Sequence, residues 1–172
     1  MKNGLKLLFQ SAFSLCAVTP MSVAEDCFAL TEPSASAKEW LVEQVDDDLW
    51  KDGPEMVGVE HYFHVARSES RPNLTVPLPL YGSGGVWVLG FETLPRYQNR
   101  IGLLRYYAGS AGTKVVANFY VAMVIDLKSG RVYGSAPVVT TVGDDCEIAE
   151  WTWSENGLVV DDQNHARFEF EF

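Results

Sequence analysis

Basic residues are scarce in this chain. Lys and Arg number 13 against 23 Asp and Glu, a formal net charge of −10. So acidic a balance argues against nucleic acid and anionic membrane surfaces as partners, and suits a basic protein partner or solubility alone. Cysteine is scarce too, with 3 in the chain, and the 3 histidines (His61, His64 and His165) are scattered. Neither set has the spacing of a zinc site, so no metal and no cofactor is expected. No apolar run approaches the ~20 residues a membrane span needs. Two catalytic signatures are missing as well. No Gly-x-Ser-x-Gly elbow joins a strand to a helix, and no Lys-Ser/Thr follows the glycine cluster Gly82-Ser83-Gly84-Gly85. Paired acids such as Asp144-Asp145 and Asp161-Asp162 fall in turn-like stretches, where solvation is the ordinary reason for them. The chain is therefore read as a protein that is not an enzyme.

What is present begins with the N-terminus. Lys2 and Lys6 precede an apolar stretch from Leu7 to Val18, and Ser22-Val23-Ala24 places small residues where a signal peptidase reads. Residues 1–24 thus read as a secretory signal peptide, and 25–172 as one exported domain, periplasmic in a bacterium with two membranes. Cleavage would remove Cys16, leaving Cys27 and Cys146 with one possible pairing in an oxidising compartment. Their disulfide would close most of the domain into one loop, a link the chain-entropy model values at up to ~5 kcal/mol.

Along that domain, Ser36 and Glu39 form a capping box ahead of Trp40, Leu41, Val45 and Leu49, which predicts a helix over 37–50. Met56 to Ala66 alternates as a strand, with His61 on its apolar face, and the Pro-interrupted stretch up to Tyr81 allows only coil or an edge strand. Val86 to Phe91 predicts a strand with Trp87, Leu89 and Phe91 on one side. Ile148 to Trp153 and Leu158 to Asp161 flank an Asn156-Gly157 hairpin signal, and Phe168, Phe170 and Phe172 alternate at the end. The centre is a meander from Ile101 to Val142, with turns at Gly109-Ser110-Ala111-Gly112 and Lys128-Ser129-Gly130. Its middle run, Lys114 to Leu127, is nearly uncharged, which predicts a central strand covered on both faces. The expected fold is mainly β, antiparallel sheets in a sandwich or rolled sheet, with one N-terminal helix.

The first meander turn carries the functional reading. Tyr107, Ala108, Gly109, Ser110, Ala111 and Gly112 give an aromatic shoulder and a tip without bulk, able to enter a narrow cleft with one hydroxyl at its end. The signal peptide, the Cys27–Cys146 pair and this Gly-Ser-Ala-Gly hairpin together resemble the periplasmic immunity proteins that protect type VI-secreting bacteria such as Pseudomonas from their own peptidoglycan amidase effectors. The resemblance implies a cysteine-histidine amidase as partner, with Gly109–Gly112 plugging its cleft and Ser110 hydrogen-bonded to the catalytic histidine. Ser129-Gly130 followed by Tyr133 resembles, over a shorter stretch, an element of periplasmic lysozyme inhibitors. A lysozyme-inhibitor-like protein, a small-ligand binder and a hydrolase remain the alternatives.

Mass spectrometry of the exported protein is expected to find a chain beginning near Glu25 and lighter by two hydrogens than its reduced form. Two free thiols in that material would overturn the structural role of Cys27 and Cys146.

Overall fold

The computed structural model describes residues 27, 29–45, 64–161 and 167–172. Among them, eleven strands make three antiparallel sheets, a mainly β fold as expected. The first sheet is β1 (Trp40–Gln44), β2 (His64–Ser68) and β3 (Thr75–Pro77), with the proline strand at the edge. The second runs in chain order through β4 (Trp87–Thr93), β5 (Ile101–Ala111), β6 (Ala117–Asp126), β7 (Val132–Val142) and β8 (Asp145–Ile148). The third is β9 (Glu150–Trp153), β10 (Gly157–Asp161) and β11 (Arg167–Glu171), with β10 in the middle.

Strand β6 is the centre of the five-stranded sheet, and its side chains divide by parity. Val121, Met123 and Ile125 enter a core shared with Trp40, Ala66, Val76, Leu104 and Tyr106, which joins the first sheet to one face. Val124 packs on the other face with Leu103, Leu158, Val160 and Phe170, which joins the third sheet. Ala122, one step along, belongs with Cys27, Val138 and Val139. A strand covered on both faces has no solvent side to keep polar, so its sequence is a continuous apolar run.

The N-terminal helix is shorter than the capping box implies. Residues 29–31 are helical and Ala35–Glu39 is a 3-10 turn, but Trp40–Gln44 is strand β1. Burial explains the difference. Trp40 is buried and Leu41 is half exposed, so alternation rather than a helical stripe places the apolar residues. Ser36 does not cap a helix: its Oγ accepts the Phe91 backbone N–H at 2.8 Å. The rest of the expected helix, 46–50, and the strand residues up to Phe63, including His61, lie outside the described residues.

Two further expectations change in register. A bulge at Leu89 separates the pairs Val88↔Tyr106 and Gly90↔Arg105, so parity inverts within β4. Trp87 therefore faces Tyr107 while Phe91 lies on the opposite face against Trp40. The run from Ile148 to Trp153 is likewise two strands. Ala149 donates to Val138 O at 2.9 Å, and beyond it the chain crosses to the third sheet, a corner between stacked sheets.

Ahead of β1, the N-terminal segment crosses the second sheet from β8 to β4. The disulfide between Cys27 and Cys146, 119 residues apart, ties one end to β8. In the middle, Arg105 Nη1 donates to Leu30 O at 3.0 Å. At the far end, Ser34 N–H donates to Leu89 O at 2.7 Å.

The β6–β7 turn is built on Asp126, which is buried. Its Oδ1 accepts the backbone N–H groups of Lys128 and Ser129, both at 2.9 Å, and its Oδ2 meets Arg100 at 3.3 Å and Tyr133 Oη at 3.4 Å. The Ser129 amide, foremost among these, holds the carboxyl below its ordinary pKa. A depressed carboxylate stabilises the fold above its unfolded pKa, and the contribution is lost as pH falls through the lower folded value. Asp126→Asn is expected to cost roughly 1.5–3 kcal/mol at neutral pH, the range for a hydrogen bond to a charged group. In urea titrations that deficit should shrink towards zero in acid; a gap independent of pH would assign the cost to packing.

Candidate functional site: the end of the β5–β6 hairpin

The hairpin rises from a row of aromatic rings. Trp87 stacks on Tyr107 with centroids 4.0 Å apart and planes 20° apart, and Tyr107 meets Tyr120 edge-on at 5.4 Å. Tyr107 donates its hydroxyl to Asn118 Oδ1 at 3.2 Å, and Asn118 Nδ2 donates to Thr141 Oγ1 at 3.1 Å, so three strands are linked at the hairpin's base. Partial burial, with Tyr107 beside it, raises the Tyr120 phenol above its ordinary pKa. Trp87 is nonetheless 45 % exposed, the outermost ring of the row.

Above Tyr107 the ladder skips. Tyr107 pairs with Tyr120 and Ser110 with Asn118, so Ala108 and Gly109 stand opposite the single residue Phe119. Gly109 takes φ +101°, which suits the bulge and disfavours any side chain. Beyond the bulge, a segment outside β4 continues the pairing. Tyr81 N–H donates to Ala108 O, and Ser83 and Ser110 exchange two backbone hydrogen bonds of 2.8 Å. This approach is close enough to require glycine: a Cβ on Gly82 would lie 2.3 Å from Ser110 O.

The turn is consequently displaced from where the sequence put it. Gly109, Ser110 and Ala111 belong to β5, and the connection to β6 runs through 112–116. The reason is the second partner: with Ser83 on one side and Asn118 on the other, pairing continues past Gly109, whose positive φ serves the bulge. Gly112, at φ +116°, opens the true turn, and a Cβ there would meet Val115 O at 2.0 Å.

Of the six residues expected at a bulk-free tip, Tyr107, Ala108 and Gly109 are buried, Ser110 is half-buried, and Ala111 and Gly112 are exposed. The tip itself is Thr113, Lys114, Val115 and Val116, with the two valines 61 % and 46 % exposed. Ser83, Trp87, Val115 and Val116 are the site residues that sequence reasoning missed. The glycines around Ser83 were the available signal, since such a cluster accommodates a neighbouring backbone as well as a flexible turn.

Other candidates lie elsewhere. His64 begins β2 in the first sheet, with Nδ1 buried and without a hydrogen-bond partner among the described residues. Ser129 and Tyr133 both engage Asp126, so that turn reads as structural. His165 and Asp162 fall outside the described residues. Comparison with known proteins adds no relative: no family model, no curated protein and no solved structure matches the chain.

Gly82→Ala is expected to destabilise the fold by about 1–3 kcal/mol, as overpacking does, because the new methyl must displace the Ser110 carbonyl. Faster hydrogen exchange at the Ser83 and Ser110 amides should accompany it. Unchanged exchange there would show that the two segments are not held by this contact.

Proposed function

We propose that this chain is a periplasmic immunity protein that inhibits a cysteine-histidine peptidoglycan amidase effector of type VI secretion, with the end of the β5–β6 hairpin seated in the effector's catalytic cleft. The observation that carries this reading is a hairpin end clamped at its root and exposed at its tip. Ser110 is paired on both sides, while residues 111–116 are all exposed. A backbone already ordered before binding loses little entropy on binding, which is what a plug requires.

The side chains suit the role. Ser110 Oγ donates to Ser83 O at a long 3.4 Å, a weak bond whose loss costs little if the hydroxyl turns to a partner. Hydrogen-bonded to the catalytic histidine, it would occupy the base that must activate the cysteine. Ala111 and Gly112 keep the flank next to Ser110 slim, and Val115, Val116 and Trp87 add apolar area beside it. The acidic chain would speed encounter with a basic effector.

Binding to a cysteine-histidine peptidoglycan amidase effector from the same genome is the test, by calorimetry together with protection of cells exporting that amidase. Ser110→Ala should lose about 1 kcal/mol, or somewhat more if its partner is charged. Ala111→Trp is the stronger variant, since position 111 is exposed and folding should not notice the ring. A cleft fitted to alanine could not admit it, so affinity should fall sharply and protection vanish. Full affinity and protection in Ala111→Trp would show that the hairpin is not the plug.

A further inference from the structure

We infer that the molecule carries a second binding site, remote in chemistry from the hairpin: a cleft for a small monocarboxylate with an aromatic body, in which Arg105 receives the carboxylate. A cavity of about 410 Å³ opens between the N-terminal segment at Leu30, the floor of the second sheet at Leu103 and Arg105, and the third sheet at Trp151 and Trp153. Pockets that bury small organic ligands begin at about 300 Å³, so the space admits a single ring with a short acidic chain.

Arg105 supplies the specificity. It is half-buried on the sheet, and its Nη1 is fixed by the Leu30 carbonyl at 3.0 Å. That bond orients the guanidinium and leaves its other N–H groups without an acceptor among the described residues. No carboxylate among those residues lies within ion-pair distance of it, although Arg67 and Arg100 each have one and Arg167 has two. A partly desolvated guanidinium whose Nε–H and Nη2–H edge has no acceptor among the described residues matches a carboxylate in two parallel hydrogen bonds. Charge at the rim narrows the class further. Glu92 also lines the cavity and is exposed, so a second negative charge on the ligand would be repelled.

The wall opposite Leu30 favours an aromatic body. Trp151 and Trp153 stand with centroids 5.9 Å apart and planes inclined at 43°, two indole faces against which a ring can lie. Trp151 Nε1 is buried without a hydrogen-bond partner among the described residues, so the same wall holds an unused donor.

The probe is 3-phenylpropionate, compared with its neutral isostere 3-phenylpropanamide on the same wild-type protein. Proton–nitrogen NMR titration should show the acid shifting the Arg105 Nε–H and the Trp151 and Trp153 indole signals together and saturably. The amide should bind at least about tenfold more weakly, the factor expected when a charge-assisted pair is lost. Arg105→Gln should abolish the preference for the acid while leaving the weak binding of the ring. Absence of a saturable shift at these three residues, or equal affinity for acid and amide, would overturn the proposal. Neither result depends on the amidase, so it would leave the hairpin reading untouched.

Discussion

Burial of β6 on both faces is the constraint on which the rest of the structure depends. Val121, Met123 and Ile125 require a covering layer on one side, and Ala122 and Val124 require another on the opposite side. Neither cover is supplied by one long element. The first sheet closes one face, while the other is shared between the third sheet and the N-terminal segment. Removing apolar surface from water on both sides of a single strand gives three sheets a common reason to stack.

That division of the second face has two consequences. The N-terminal segment is short and contributes few core side chains, so it is held at points; among the described residues these include a disulfide, an arginine-to-carbonyl bond and hydrogen bonds from Ser34 and Ser36 to the β4 edge. Where such a segment and the third sheet leave the floor incompletely covered, a cleft results. Among the described residues that line it, the cation is Arg105, the same residue that holds the segment. Structure and recognition would there use one side chain for two tasks.

At the other end of β5 the logic is reversed, with backbone rather than side chains doing the fixing. Gly82 lets two segments approach at a distance that a Cβ would forbid, Gly109 supplies the positive φ of the bulge, and the Ser83–Ser110 pair joins them. The aromatic row from Trp87 through Tyr107 to Tyr120 stiffens the base. A hairpin end held in this way can remain exposed without being loose, which is the property a cleft-filling element needs.

Much of the architecture was legible from periodicity. The apolar run of β6, the alternation of Phe168, Phe170 and Phe172, the hairpin between Trp153 and Leu158 (its turn centred on Glu155-Asn156, with Gly157 already in β10) and the Cys27–Cys146 pair are local or arithmetic signals, and the structure contains each of them. What the sequence could not decide were the places where a distant partner outweighs a local preference. Trp40 and Leu41 carry a helical signature that pairing with Ser68 and Arg67 overrides. Leu89 bulges, and with it Trp87 and Phe91 part to opposite faces. Gly109 has the residue type of a turn, yet it became a bulge because Ser83, 27 residues from its partner Ser110, extended the strand past it. The sequence by itself determined which stretches are apolar, where they alternate and which cysteines can join. Only tertiary structure decided register and face, because a shift of one residue in a strand exchanges its two faces without altering its composition.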